Sequence, residues 1–271
     1  MMTIASATGK GGPADAVTRR AAVQRLALGA LALAGSACRP DAGTGTGVDG
    51  VDGRLTSRPE PPFAPVATGL QPLEIGSTRD GLLFVPSSYR SDEPAPLVVL
   101  FHGAGQRAST IVEPVQPLAE EMGLVLLAPD SRRATWEPAY GYYGPDTTFL
   151  DLALTKIYAT VAVDGARLRM AGFSDGASYA LSLGLINGDL FTRIAAFSPG
   201  YVSPGRRRGT PKLFVTHGTA DPILPIEDTS RRLVPALRTA GYDVEYIEFD
   251  GGHVIPPAAL LRQATTWLSE G

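Results

Sequence analysis

Gly172-Phe173-Ser174-Asp175-Gly176 constrains this chain more than any other stretch. An apolar run, Leu168-Arg169-Met170-Ala171, leads into it. A helix-like stretch, Ala177-Ser178-Tyr179-Ala180-Leu181, leads out. The order is strand, sharp turn, helix. Such a turn crowds the positions two residues either side of the serine. Glycine at both removes the clash and lets the serine hydroxyl stand clear of a sheet. G-x-S-x-G alone is a weak pattern in a glycine-rich chain, and its context gives it weight. The alternative role for Ser174 is an ordinary helix N-cap.

A serine presented in this way needs a base that works near neutral pH, and histidine is the natural one. The chain has three histidines, His102, His217 and His253. The base needs a carboxylate to hold its tautomer and stabilise its charged form. Asp221, in His217-Gly218-Thr219-Ala220-Asp221-Pro222, and His253, in Gly251-Gly252-His253, follow the serine in the order acid then base. Each comes just after a predicted strand, Lys212–Thr216 and Val244–Phe249. Loops at the carboxyl ends of parallel strands are where such sheets build sites. Ser174, Asp221 and His253 are therefore the candidate catalytic residues. Asp250 is the rival acid, and a turn residue is the alternative role for Asp221. His102 and His217 read as hydrogen-bonded loop histidines.

Upstream, Pro96-Leu97-Val98-Val99-Leu100-Phe101 is an unbroken apolar run, as a central strand buried on both faces requires. It ends in His102-Gly103-Ala104-Gly105-Gln106. That position supplies one oxyanion donor, the other coming from the residue after the serine. The expected donors are the backbone amides of Ala104 and Asp175.

Together these pieces resemble the α/β-hydrolase superfamily, and within it the carboxylesterase/phospholipase and polyhydroxybutyrate-depolymerase-like esterases. The resemblance runs from about Gln71 to Leu268. It implies an α/β-hydrolase fold with a doubly wound, mostly parallel sheet, and a serine hydrolase acting on carboxylic esters through a Ser-His-Asp triad. An acyltransferase or peptidase would use the same groups. A catalytically inert, surface-tethered binding protein is the reading from another class.

Members of the superfamily usually insert a lid after the strand that follows the nucleophile helix. Here Ile194-Ala195-Ala196-Phe197 is followed closely by the strand that begins after Pro211. No lid domain is expected, and the site should be an open cleft suited to short-acyl, aryl or polymeric esters. Arg206-Arg207-Arg208 in the short connection reads as solvated surface. Trp136, Tyr140, Tyr142 and Tyr143 fall in a long loop on the catalytic edge and are expected at the substrate rim.

The rest of the chain sets bounds. With 271 residues and 44% apolar composition it can build one domain with a tail. A net charge of −3 gives no electrostatic reason to expect a nucleic-acid partner. No histidine or cysteine set has metal-ligand spacing, and neither metal nor cofactor is expected. Residues 1–38 read as an export signal, with Thr18-Arg19-Arg20 before a short apolar stretch from Leu26 to Gly35. The paired arginines suggest twin-arginine export, a general secretory signal being the alternative. Cys38, the only cysteine, stands where a bacterial lipobox places its lipid attachment, though Gly35 replaces the usual leucine. A membrane tether through Cys38 and a free secreted or periplasmic enzyme are both open. Residues 39–68 are rich in glycine, threonine, aspartate and proline and read as a flexible linker. The catalytic domain is expected over 69–271. Its opening hairpin is predicted to pair Leu73–Gly76 with Gly81–Val85. Asp146-Thr147-Thr148 is predicted to cap a helix.

Overall fold

A computed structural model describes residues 52–76 and 78–271. The expected signal, the Cys38 attachment and the first part of the linker lie outside the described residues.

Eight strands form one sheet: β1 (Gly69–Pro72), β2 (Gly81–Val85), β3 (Ala95–Phe101), β4 (Val125–Pro129), β5 (Val163–Phe173), β6 (Arg193–Phe197), β7 (Lys212–Gly218) and β8 (Val244–Phe249). Their order across the sheet is β1-β2-β4-β3-β5-β6-β7-β8. β1 and β2 are antiparallel to their neighbours, and the pairs from β4 to β8 are parallel. Among the described residues, five α-helices flank the sheet: α1 (Ala108–Met122), α2 (Pro145–Thr160), α3 (Asp175–Ile186), α4 (Ser230–Thr239) and α5 (Ala258–Ser269).

The sheet carries an apolar core on each face. Side chains alternate across a strand, so Leu97, Val99 and Phe101 of β3 pack with α2, α3 and α4, while Val98 and Leu100 pack with α1 and α5. Every residue of β3 is buried, and helices on both faces are the reason its sequence reads as continuous hydrophobe. At its far end the sheet is fastened to the chain's last residues by two arginines. Arg169 donates to Leu268 and Glu270 carbonyls, and Arg193 to those of Trp267 and Gly271.

Three sequence expectations need correction. The opening hairpin pairs Gly69–Pro72 with β2, in register Gly69↔Val85 to Pro72↔Leu82, and not Leu73–Gly76. The Asp80 carboxylate accepts the Glu74 and Ile75 amides at 2.6 and 3.2 Å, and Glu74 takes φ 53°, so the chain leaves the strand there. Leu73 is buried beneath that bend.

Asp146 does not cap α2. Glu137 does so, accepting the Gly144 and Asp146 amides at 2.7 and 2.5 Å. Asp146 faces back and accepts the Arg132 and Glu137 amides at 2.5 and 3.1 Å. Burial pushes both carboxyls above their usual range.

The expected linker is docked from Gly53 to Ala64. Arg54 forks onto Asp189 at 2.7 and 2.9 Å. Asn187 accepts the Leu55 amide and donates to the Gly53 carbonyl. Asp151 accepts the amides of Thr56 and Ser57, each at 2.9 Å. Ala159 accepts those of Phe63 and Ala64. Leu55, 1% exposed, is one apolar residue in a polar stretch, and its burial goes with a backbone whose polar groups α2 and the end of α3 satisfy. Composition registers the polar stretch and misses those partners.

Candidate active site

β5 delivers the chain to Ser174 and α3 carries it away. A Cβ on Gly172 would stand 2.3 Å from the Gly176 carbonyl oxygen, and one on Gly176 would stand 2.1 Å from the Phe101 oxygen. Only glycine permits this turn. Ser174 takes φ 59° and ψ −123°, a conformation L-residues avoid, and its amide is pinned to the Phe197 carbonyl of β6 at 2.9 Å.

His253 lies in the loop after β8 and Asp221 in the loop after β7. Ser174 Oγ donates to His253 Nε2 at 2.8 Å, and His253 Nδ1 donates to Asp221 Oδ2 at 2.6 Å. The His253 ring lies against Phe173, with centroids 4.9 Å apart. The two loops are pressed together, since a Cβ on Gly218 would meet the Gly252 oxygen at 2.3 Å. Asp221 Oδ1 accepts the Ile223 and Leu224 amides, each at 2.8 Å. Burial opposes ionisation of Asp221, but hydrogen bonds from His217, His253 and the Leu224 amide outweigh it and hold the carboxyl well below the usual range. The structure pairs His253 with Asp221 and not with the rival Asp250.

Hydrogen-bond accounting singles out Ala104. In the loop after β3, Gly103 N–H goes to Gln106 Oε1 at 3.0 Å, Gly105 N–H to the Ala134 carbonyl at 2.6 Å, and Gln106 N–H to the Gly103 carbonyl at 3.2 Å. The Ala104 and Asp175 amides have no acceptor among the described residues. A Cβ on Gly103 would stand 3.4 Å from Ser174 Cβ, so this loop lies directly against the serine.

The other histidines are structural. His102 Nδ1 donates to the Gly103 carbonyl at 2.7 Å and Nε2 accepts the Ser131 amide at 3.0 Å. Burial lowers its pKa, which suits a neutral ring. His217 is buried, bonded to Ser230 Oγ and the Leu224 carbonyl, with Nε2 3.2 Å from Asp221 Oδ2. Its hold on Asp221 escaped the sequence, although both stand in one short motif.

Of the aromatic loop, only part reaches the surface. Trp136, expected at the rim, is 1% exposed. It stacks on Tyr179 at 4.8 Å, meets Phe101 edge-on at 5.1 Å, and donates Nε1–H to the His102 carbonyl at 2.8 Å. Tyr143 is half-buried against the core. Tyr140 and Tyr142 remain exposed, with rings 6.4 Å apart. Ile223 and Val254, in the two triad loops, are exposed as well. Arg206 and Arg207 are exposed, but Arg208, expected in the same solvated run, is half-buried with its amide on the Leu185 carbonyl at 2.9 Å.

Between β6 and β7 the described residues hold a loop and no inserted lid. No protein-family profile matches the chain. Among solved structures, esterase PE8 superposes with a TM-score of 0.57 at 25% identity, over 69% of this chain and 96% of that one. The chain has the α/β-hydrolase fold. The same α/β-hydrolase architecture is found in FphF of Staphylococcus aureus, a fluorophosphonate-binding serine hydrolase. It matches at TM-score 0.58 and 16% identity, over 77% of this chain and all of that one. Among curated proteins, feruloyl esterase D of Neurospora crassa is 23% identical over 165 residues. That match spans 56% of each chain, so this chain aligns with little more than half of that relative.

Proposed function

We propose that the domain is a serine hydrolase of carboxylic esters. The observation that carries the reading is the continuous hydrogen-bond chain from Ser174 through His253 to Asp221. Ser174 Oγ attacks the ester carbonyl carbon while its proton passes to His253 Nε2. The carbonyl oxygen becomes an oxyanion held by the Ala104 and Asp175 amides. The tetrahedral adduct collapses, the C–O bond to the alcohol breaks, and the alcohol leaves with the proton from His253. Water then attacks the acyl-serine, giving its proton to His253, and a second collapse releases the acid and restores the serine hydroxyl. Asp221 stays ionised throughout. It orients the imidazole and stabilises the charge that forms on it.

The exposed Tyr140, Tyr142, Ile223 and Val254 support a broad apolar rim around an open site. Such a rim favours aryl or polymeric esters over long acyl chains taken from a lipid interface. The decisive experiment is a fluorophosphonate probe together with a short aryl ester. The native protein should be labelled and active, and Ser174→Ala should show neither. Full activity in Ser174→Ala would refute the mechanism. The sequence of residues 1–38 supports export, with Cys38 as a candidate anchor. Fractionation of Cys38→Ala beside the native protein tests that, since release from the membrane requires an anchored starting point.

A further inference from the structure

Asp175 carries a second group besides its amide. Its carboxyl Oδ2 accepts a hydrogen bond from Thr135 Oγ1 at 2.7 Å, which fixes the rotation of the group. Thr135 is buried at the start of the aromatic loop, so the anchor is rigid. The other oxygen, Oδ1, receives no hydrogen bond from a described residue and is not sealed from solvent.

Tyr201 is the companion. Ser178 Oγ accepts the Gly200 and Tyr201 amides at 2.9 and 3.4 Å, and itself donates to the Ser174 carbonyl at 3.2 Å. These bonds lay Tyr201 along the first turn of α3. Its hydroxyl is buried and has no partner among the described residues. Burial, together with the nearby Asp175 charge, pushes its ionisation far above the ordinary range, so it stands as a hydrogen-bond donor. A buried hydroxyl without a partner calls for an explanation. No step of ester hydrolysis uses it or the Asp175 carboxyl.

Covalent geometry places the Asp175 carboxyl beside the reacting carbonyl. The Asp175 amide addresses the oxyanion, and an aspartate's own carboxyl oxygens lie within about 5 Å of its amide nitrogen. The carbon next to the scissile carbonyl is one bond from the carbon that bears the oxyanion. A polar substituent on it falls within reach of Oδ1.

We propose that Asp175 and Tyr201 form a subsite for acyl groups bearing a hydrogen-bond donor, hydroxyl or ammonium, on the carbon next to the scissile carbonyl. The proposal rests on the ester-hydrolase reading and names its acyl preference. A hydroxyl donates to Asp175 and accepts from Tyr201. An ammonium has no lone pair and meets Asp175 alone. Burial raises the Asp175 carboxyl above the usual range, opposed by the Thr135 bond and the nearby His253, and a substrate donor would add to that opposition.

The test uses ethyl propionate, ethyl lactate and ethyl alaninate, which differ only in the substituent on that carbon. Each kcat/KM is divided by the ester's rate with hydroxide, to remove intrinsic reactivity. The native enzyme should prefer lactate or alaninate over propionate by tenfold or more, as sites built to bond a polar group do. Asp175→Ala should bring the ratios near one. Tyr201→Phe should lower the lactate ratio and spare the alaninate ratio, which tells the two donors apart. Ratios taken within one variant cancel any general loss from a disturbed oxyanion site, and fluorophosphonate labelling verifies that each variant is folded. Native ratios near one, or ratios unchanged in Asp175→Ala, would overturn the subsite while leaving the esterase intact. Failure to label Ser174 or cleave any of the three esters would overturn the ester-hydrolase reading instead.

Discussion

Gly176→Ala tests whether the contact between the serine turn and β3 sets the spacing of the two proposed oxyanion donors. The new Cβ would stand 2.1 Å from the Phe101 oxygen and 2.5 Å from that of His102, both backbone atoms. Ordinary contacts begin at 3.4 Å, so the turn and the strand must part by 3.4 − 2.1, or 1.3 Å. Asp175 is the neighbour of Gly176 on one side of that gap. Ala104 is two residues beyond His102 on the other. Parting the backbones therefore parts the donors. A donor acts at about 2.7–3.1 Å from the oxyanion, and losing one costs about 2.7–4 kcal/mol of transition-state stabilisation. The expected loss in kcat/KM on a short aryl ester is roughly 10²–10³-fold. Overpacking should also cost about 1–3 kcal/mol of stability, or roughly 2–12 °C in Tm for a domain of this size. Gly241→Ala is the control. It has φ 89° and nothing within 4 Å of its Cβ, so it should lose about 1 kcal/mol to backbone strain and keep full activity. If Gly176→Ala keeps more than a tenth of its kcat/KM and melts with the native protein, the steric argument is wrong.

Gln106→Leu removes the acceptor of the Gly103 amide and should lower kcat about tenfold with little change in KM, since the Ala104 donor loses its clamp. Unchanged kcat would show that the Gly105–Ala134 bond suffices. Trp136→Ala should cost about 3–5 kcal/mol in urea unfolding, as a core truncation does, with no shift in the preference between aryl and alkyl esters. A changed preference without lost stability would return Trp136 to the rim. The depressed Asp221 carboxyl contributes stability that is fully present above its unfolded pKa of about 3.9 and is lost as pH falls through the lower folded value. The stability gap between native protein and Asp221→Asn should therefore narrow below about pH 4. A gap constant down to pH 2 would contradict the assignment.

The parts legible in the sequence are those whose physics is local. Two glycines around Ser174 announce a turn that nothing else can make. The apolar run of β3 announces a strand covered on both faces. The strand ends before Asp221 and His253 announce a shared sheet edge. What stayed hidden depends on partners far along the chain. The Gly53–Ala64 strap looks like linker because Asn187, Asp151 and Asp189 satisfy it from elsewhere. Trp136 looks like a rim residue because its loop is near the catalytic edge, yet Tyr179 and Phe101 draw its ring inward. Asp146 looks like a cap because aspartate favours that role, but α2 already begins at Pro145, and Glu137 accepts the Gly144 and Asp146 amides from outside the helix.

The φ of 59° at Ser174 has a consequence for the whole domain. A non-glycine residue held there stores about 1–3 kcal/mol, against native stabilities of only about 5–15 kcal/mol. The fold is thus bent at its most reactive point, and every other contact must hold that bend. Relaxing the turn would give a sturdier and idler protein. Hardening this domain against heat should therefore begin far from the turn, along the strap and the arginine fastening at the other end of the sheet, where added rigidity does not compete with reactivity.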